Sequence, residues 1–154
     1  MSGPTQVDRL QELMQRLKLV KTSLELPLLL QDASKKELSY SDFLEEVLSR
    51  ETSAKSERHV AMRTAMARFP FQKSLESFDF KQQPSLDPKV IRELGTARFI
   101  SDAENVLLLG PPGVGKTHLG VALGLKACAA GYRTAFATAT SLIGNLMKAQ
   151  PCLR

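Results

Sequence analysis

Val7, Leu10, Leu13, Met14, Leu17 and Val20 recur at steps of three and four residues. That spacing gathers apolar side chains on one stripe of a 3.6-residue repeat. It predicts an amphipathic helix from about Thr5, interrupted at Pro27, whose apolar face needs a partner surface. Tyr40, Phe43, Leu44, Val47 and Leu48 open a second helix, entered through Ser39 and Asp42 in an arrangement like a capping box. Helical composition continues through Ala54, Ala61, Met62, Ala65 and Met66, so this helix is long and runs to Pro70. Its cations Arg50, Lys55, Arg58, Arg63 and Arg68 are interleaved with Glu45, Glu46, Glu51 and Glu57. The interleaving reads as a solvated face laced with local ion pairs rather than a surface for reading DNA. His59, alone in this helix, is a surface or packing residue rather than a metal ligand.

The texture changes at Phe69-Pro70-Phe71 and stays irregular through Phe78-Asp79-Phe80 and Gln82-Gln83-Pro84-Ser85-Leu86-Asp87-Pro88. Proline and polar residues with spaced phenylalanines describe a linker whose rings anchor it on the domain that follows. Val90, Ile91, Leu94, Ala97 and Phe99 predict a further helix. Asn105-Val106-Leu107-Leu108-Leu109 is a short apolar run of the kind a buried parallel strand shows. From His118 to Ala130 no proline intervenes, Leu119, Ala122, Leu123, Lys126 and Ala127 keep helical spacing, and Gly131 suits a left-handed cap. The expected organisation is a small all-α domain over residues 1–68, a linker over 69–88 and an α/β core over 89–154.

Between the expected strand and the expected helix stands Gly110-Pro111-Pro112-Gly113-Val114-Gly115-Lys116-Thr117, a complete G-x-x-x-x-G-K-T signature. It predicts a phosphate-binding loop. Glycine lets the backbone curl tightly enough to aim several N–H groups at a polyphosphate, where a Cβ would obstruct. Lys116 neutralises the outer phosphates, Thr117 offers its hydroxyl to Mg²⁺, and the backbone of His118 completes the cradle at the positive end of the helix. The candidate nucleotide site is therefore Gly110, Pro111, Pro112, Gly113, Val114, Gly115, Lys116, Thr117 and His118, with Thr117 as the metal ligand. The linker phenylalanines offer a second, less favoured use as a wall for the adenine. A dinucleotide reading of Gly113-Val114-Gly115 fails, because His118 replaces the third glycine. No acidic residue follows at the ribose-binding distance, where the chain reads Ala137-Thr138-Ala139-Thr140.

The chain has 154 residues, 43% hydrophobic and 24% charged, which suits one ordinary domain, or a small helical domain joined to part of a larger one. No apolar stretch approaches the roughly 20 residues of a membrane span. Residues 1–4 open no signal peptide, and the expected location is the cytoplasm. Cys128 and Cys152 lack the spacing of a zinc site or a disulfide framework, so Cys128 reads as a small buried residue of its helix. The net charge of +5 is uneven: acids and bases cancel up to Phe80, and no aspartate or glutamate follows Glu104, whereas Lys116, Lys126, Arg133, Lys148 and Arg154 do. A basic excess of this size permits nucleic-acid binding without requiring it.

The order of segments resembles the IstB family of transposition helper ATPases, relatives of the DnaC-type helicase loaders within the AAA+ class. The resemblance rests on Leu38-Ser39-Tyr40 with Phe43-Leu44, on Phe69-Pro70 with Phe78-Asp79-Phe80, on Gln83-Pro84-Ser85-Leu86-Asp87, and on Glu104-Asn105-Val106-Leu107-Leu108-Leu109 running into the loop. It implies an AAA+ type P-loop NTPase core behind a helical N-terminal domain, and ATP with Mg²⁺ as cofactors. It also implies non-specific double-stranded DNA and a transposase as partners, and homo-oligomers on DNA. The family's acidic Walker B motif, sensor and arginine finger have no counterpart here. The core is thus expected to be incomplete, able to bind ATP but not to hydrolyse it. The run resembling the family's next strand, 133–138, would lie apart from 105–109, leaving an empty slot in the sheet. The tail 150–154 departs from the family's course and reads like a disrupted ending. Two other readings share these features: a helicase loader in replication, and a non-enzymatic interaction fragment with a relic loop.

Overall fold

In the computed structural model, which describes residues 5–149, α1 (Gln6–Arg16) begins at a reciprocal cap. The Asp8 amide donates to Thr5 Oγ1 (3.2 Å) and the Thr5 amide donates to the Asp8 carboxylate (2.7 Å), satisfying two donors that every helix start leaves free. Hydrogen bonds from Thr5 hold the Asp8 carboxyl below its usual range. The chain divides into two compact units, Met1–His59 and Val60–Arg154.

The first unit corrects the expectation of one helix ending at Pro27. α1 stops at Leu17, Lys18 turns the chain with φ 59°, and α2 (Val20–Lys35) then runs straight through Pro27. A proline inside a helix removes the N–H that the carbonyl four residues earlier would accept. That carbonyl belongs to Ser23, and it accepts instead from Gln11 Nε2 at 2.8 Å, while Ser23 Oγ donates to the Gln11 carbonyl at 3.2 Å. α1 therefore supplies the donor that α2 lacks. Leu26, Leu29 and Val47 form the apolar core of this unit. Glu51, from α3 (Tyr40–Ala67), is 2% exposed and accepts from the Thr22 amide and hydroxyl, both at 3.0 Å. These two donors lie in the first turn of α2, so the carboxylate caps a helix start that has no side-chain cap of its own. α3 is entered as expected, with the Asp42 amide donating to Ser39 Oγ at 3.2 Å.

The second unit is organised around α6 (Lys116–Ala129), which buries Leu119, Val121, Ala122, Leu123, Ala127 and Cys128. The linker docks on it through two rings. Phe69 lies where Gly124 has no Cβ, and Phe78, 8% exposed, lies against Gly115 and packs with Leu75, Ile91, Leu119 and Ala122. Phe71 stays on the surface, with Lys73 Nζ 5.9 Å from its ring centre. The helix expected from Val90 to Phe99 is split into α4 (Pro88–Leu94), capped by Asp87, and the single turn α5 (Arg98–Ser101). Between them Gly95 and Thr96 end the first helix, and buried Ala97 is left-handed at φ 61°. α6 ends as the sequence suggests. Gly131 has φ 100°, and the amides of Gly131 and Tyr132 return to the carbonyls of Cys128 (3.2 Å) and Ala127 (3.0 Å).

Neither run expected as a strand forms one: there is no β-ladder among the described residues. A strand needs a neighbour to bond to, and 105–109 and 133–138 share no hydrogen bond. Their burial nonetheless alternates with period two. Val106 and Leu108 are half-buried while Leu107 and Leu109 are 81% and 88% exposed; Thr134 and Phe136 are half-buried while Arg133, Ala135 and Ala137 are exposed. Each run thus covers one face, as an extended chain does, and of the α/β core expected from the sequence the described residues form the loop and the helix without a paired sheet. α7 (Ala139–Ala149) buries none of its residues. The tail 150–154, with Cys152, lies outside the described residues, as does 1–4.

Candidate functional site

The loop reaches α6 through three glycines with positive φ, Gly110 (154°), Gly113 (85°) and Gly115 (89°). The last two angles are left-handed, and Gly115 sits as the residue that caps the helix without a side chain. An added Cβ at Gly115 would come within 2.7 Å of the Phe78 ring, whereas at Gly113 it would meet nothing within 4 Å. The second glycine is therefore required by conformation and by space, and the first by conformation alone. Pro111 and Pro112 are exposed on the outer side of the curl, and Val114 is half-buried.

Helix geometry leaves the first amides of α6 without partners, and here the loop adds more. Among the described residues, the amides of Gly113, Val114, Gly115, Lys116, Thr117 and His118 donate to no protein acceptor, and the first helical bond runs from Leu119 to the Gly115 carbonyl at 3.0 Å. Six consecutive free donors at the positive end of a helix dipole fit an anion with several oxygens. Lys116 Nζ is folded back onto the loop, donating to the carbonyls of Gly110 (2.8 Å) and Pro111 (2.6 Å). Its ammonium group is thereby stored at the rim of the curl. Thr117 is exposed, and its hydroxyl makes no hydrogen bond among the described residues.

His118 is held by the linker. Its Nε2 lies 3.1 Å from the Ser74 carbonyl and 3.3 Å from Ser77 Oγ, and Phe78 meets the imidazole edge-on at 5.2 Å between ring centres. A carbonyl has no proton to give, so Nε2 carries the proton at that contact. Beside the loop and this contact lies an open cleft of about 830 Å³, lined by Gln72, Lys73, Ser77, Phe78, Gln82 and the glycines Gly113 and Gly115. Reading the loop alone misses Gln72, Ser74 and Gln82. The only signal for them was the linker's position just before the core.

A second tie fixes the same linker to α6. Lys126 Nζ lies 2.6 Å from the Glu76 carboxylate, and this hydrogen bond, with help from the Glu76 and Ser74 neighbourhood, brings the Glu76 carboxyl down to about 2. Both side chains are largely exposed, so the pair orients more than it stabilises. No group of three or more His, Cys, Asp or Glu side chains gathers as a metal site, and no helix is long and apolar enough to cross a membrane, among the described residues.

A family model described as IstB-like ATP binding protein matches residues 12–152. A Pseudomonas aeruginosa protein named for insertion sequence IS21 and ATP binding is 48% identical over 141 residues, which are 92% of this chain and 53% of that protein. A Geobacillus stearothermophilus protein named for IS5376 is 44% identical over 117 residues, 76% of this chain and 47% of its own length. One from Bacillus thuringiensis subsp. berliner, named for IS232, is 33% identical over 114 residues, 74% and 46% of the two chains. The chain spans about half the length of the curated relatives it matches. With nearly its whole described length inside the family match, and with the glycine loop, the lysine and the anchored linker within it, the chain belongs to the IstB-like ATP-binding protein family.

Proposed function

We propose that this polypeptide holds the triphosphate of ATP in the loop from Gly110 to Thr117, as the nucleotide-binding part of an insertion-sequence transposition helper. One observation carries the reading: the run of amides from Gly113 to His118 that has no acceptor among the described residues, positioned by left-handed glycines at the start of α6. Lys116 leaves the carbonyls of Gly110 and Pro111 to neutralise the outer phosphates. Thr117 offers a hydroxyl that makes no hydrogen bond among the described residues and suits Mg²⁺, which keeps most of its waters in such sites; the ion would supply further charge neutralisation at the phosphates. The cleft beside Phe78 is of the size that takes a nucleoside, and the ring offers the base an apolar wall.

Residues 1–68 then serve as a helical domain, 69–88 as the linker that closes the cleft, and 89–154 as the first part of the nucleotide core. The relatives are named for insertion sequences rather than for replication, which favours transposition over helicase loading. A transposase and double-stranded DNA are the corresponding partners, in an oligomeric assembly. No aspartate or glutamate follows Glu104, so this stretch offers no carboxylate there to activate water, and binding without turnover is the expected behaviour of these 154 residues. Titration with a fluorescent ATP analogue tests the site. Lys116→Ala is expected to weaken binding at least tenfold with an unchanged circular dichroism spectrum, and undiminished binding would refute the assignment.

A further inference from the structure

His118 takes part in two structures at once. Its amide is the last of the six from Gly113 to His118 that have no acceptor among the described residues, so its backbone stands in the row that suits a phosphate chain. Its side chain reaches the linker instead, and with Ser74, Ser77 and Phe78 it lines the cleft beside the loop. The hydrogen bonds there have a definite direction. Ser77 Oγ donates to the Ser74 carbonyl at 2.7 Å, which commits the hydroxyl proton and leaves the oxygen as an acceptor toward the imidazole. The proton on His118 Nε2 then faces two acceptors, the Ser74 carbonyl at 3.1 Å and Ser77 Oγ at 3.3 Å. Leu75 and Phe78 are buried against Leu119 and Ala122 and hold the apolar side of the linker down. That packing gives exposed Ser74 and Ser77 no fixed place; the imidazole does. The other tie, from Lys126 to Glu76, joins side chains that do not line the cleft.

We propose that His118 is the positioning residue for the nucleoside half of the ligand. Its imidazole fixes the wall made by Ser74, Ser77 and Phe78, while only its backbone serves the phosphates. A wall ordered before the ligand arrives spares binding the cost of ordering it, so the side chain sets how much the nucleoside adds to the grip of the loop. The inference rests on the reading of the loop as a triphosphate site, and adds to it the residue that joins the phosphate cradle to the nucleoside cleft.

Calorimetric titration with Mg-ATP and with Mg-tripolyphosphate, which has the phosphate chain and no nucleoside, separates the two halves. The readout is the ratio of the two Kd values, and the native chain is expected to favour ATP at least tenfold. His118→Ala is expected to reduce that preference about tenfold, through weaker ATP binding. His118→Gln can still donate to the Ser74 carbonyl and is expected to restore most of it. His118→Phe, which keeps a ring against Phe78 but has no donor, is expected to behave like the alanine variant. Lys126→Met cuts the tie that lies away from the cleft and is expected to keep the native ratio. Circular dichroism checks that each variant is folded, and if the alanine variant is not, the glutamine and phenylalanine variants carry the comparison. Equal weakening of both ligands, rescue by phenylalanine in place of glutamine, or the same loss of preference in Lys126→Met overturns the inference and leaves the triphosphate site standing. Absence of binding to the native chain, or Lys116→Ala leaving both ligands bound as before, overturns the triphosphate site and this inference with it.

Discussion

Pro27 shows what a sequence can announce and what it cannot. The missing N–H is legible at once, and it predicts the end of a helix. The remedy is not legible, because Gln11 lies on a different helix and nothing in its neighbourhood marks it as the donor to Ser23. The coupling is measurable. Gln11→Ala should cost about 1 kcal/mol by urea unfolding, since it strips a carbonyl of its partner. In a Pro27→Ala background the helix supplies its own donor, and the same substitution should then cost close to nothing. Equal losses in the two backgrounds would show that Gln11 acts by packing instead. Glu51 gives the second prediction at this scale. Burial pushes its carboxyl up, but the Thr22 amide and hydroxyl, with the Lys55 charge, outweigh that and leave it below its ordinary value of 4.5. A lowered value means the ionised form is favoured by folding. Its contribution is therefore complete above about pH 4.5 and disappears as pH falls through the lower folded value. Glu51→Ala should destabilise by about 2 kcal/mol at pH 7, with the deficit shrinking in acid.

Among the elements, the loop and α6 were the most legible and the sheet the least. A glycine loop and a helix are built from local bonds, so Gly113, Gly115 and the Gly131 cap stand where their spacing puts them. A strand is a relation between segments, and the apolar run 105–109 specifies only half of one. Its period-two burial survives without the ladder, which separates what side chains dictate from what a neighbour must supply. The linker falls between these cases. Its phenylalanines marked it as an anchor, but only the fold reveals that His118 and Lys126 each tie it to α6. The Glu76 and Lys126 tie sets a pH limit on that arrangement. The depressed carboxyl value holds the tie closed from neutral pH down to about 4.5, and it opens as pH falls toward about 2. Carbon-detected NMR titration should place Glu76 near 2, and Lys126→Met should return it toward 4.5. An unchanged midpoint in that variant would show that the backbone around residue 76, and not the ammonium, holds it down.

At the scale of the whole molecule, the division between His59 and Val60 falls inside α3, so one continuous helix belongs to both compact units. A shared helix permits two behaviours: a single cooperative transition, or two transitions in which one end of the helix melts with each unit. The units differ in what stabilises them. The first relies on Leu26, Leu29, Val47 and the buried Glu51 cap. The second exposes Leu107 and Leu109 and has a row of loop amides without partners among the described residues, so it gains most from a bound anion. Ligand at one hundred times its dissociation constant adds about 2.7 kcal/mol to whatever unfolds with the site. For a unit of this size that corresponds to an upward shift of roughly 10–20 °C. Calorimetry should then resolve two transitions, with Mg-ATP raising one and Glu51→Ala lowering the other. The Lys116→Ala variant supplies the control, since it should erase the first shift and leave the second. If nucleotide and Glu51→Ala both move one common transition, α3 couples the units into a single cooperative body, and the ends of the chain stabilise each other through that helix.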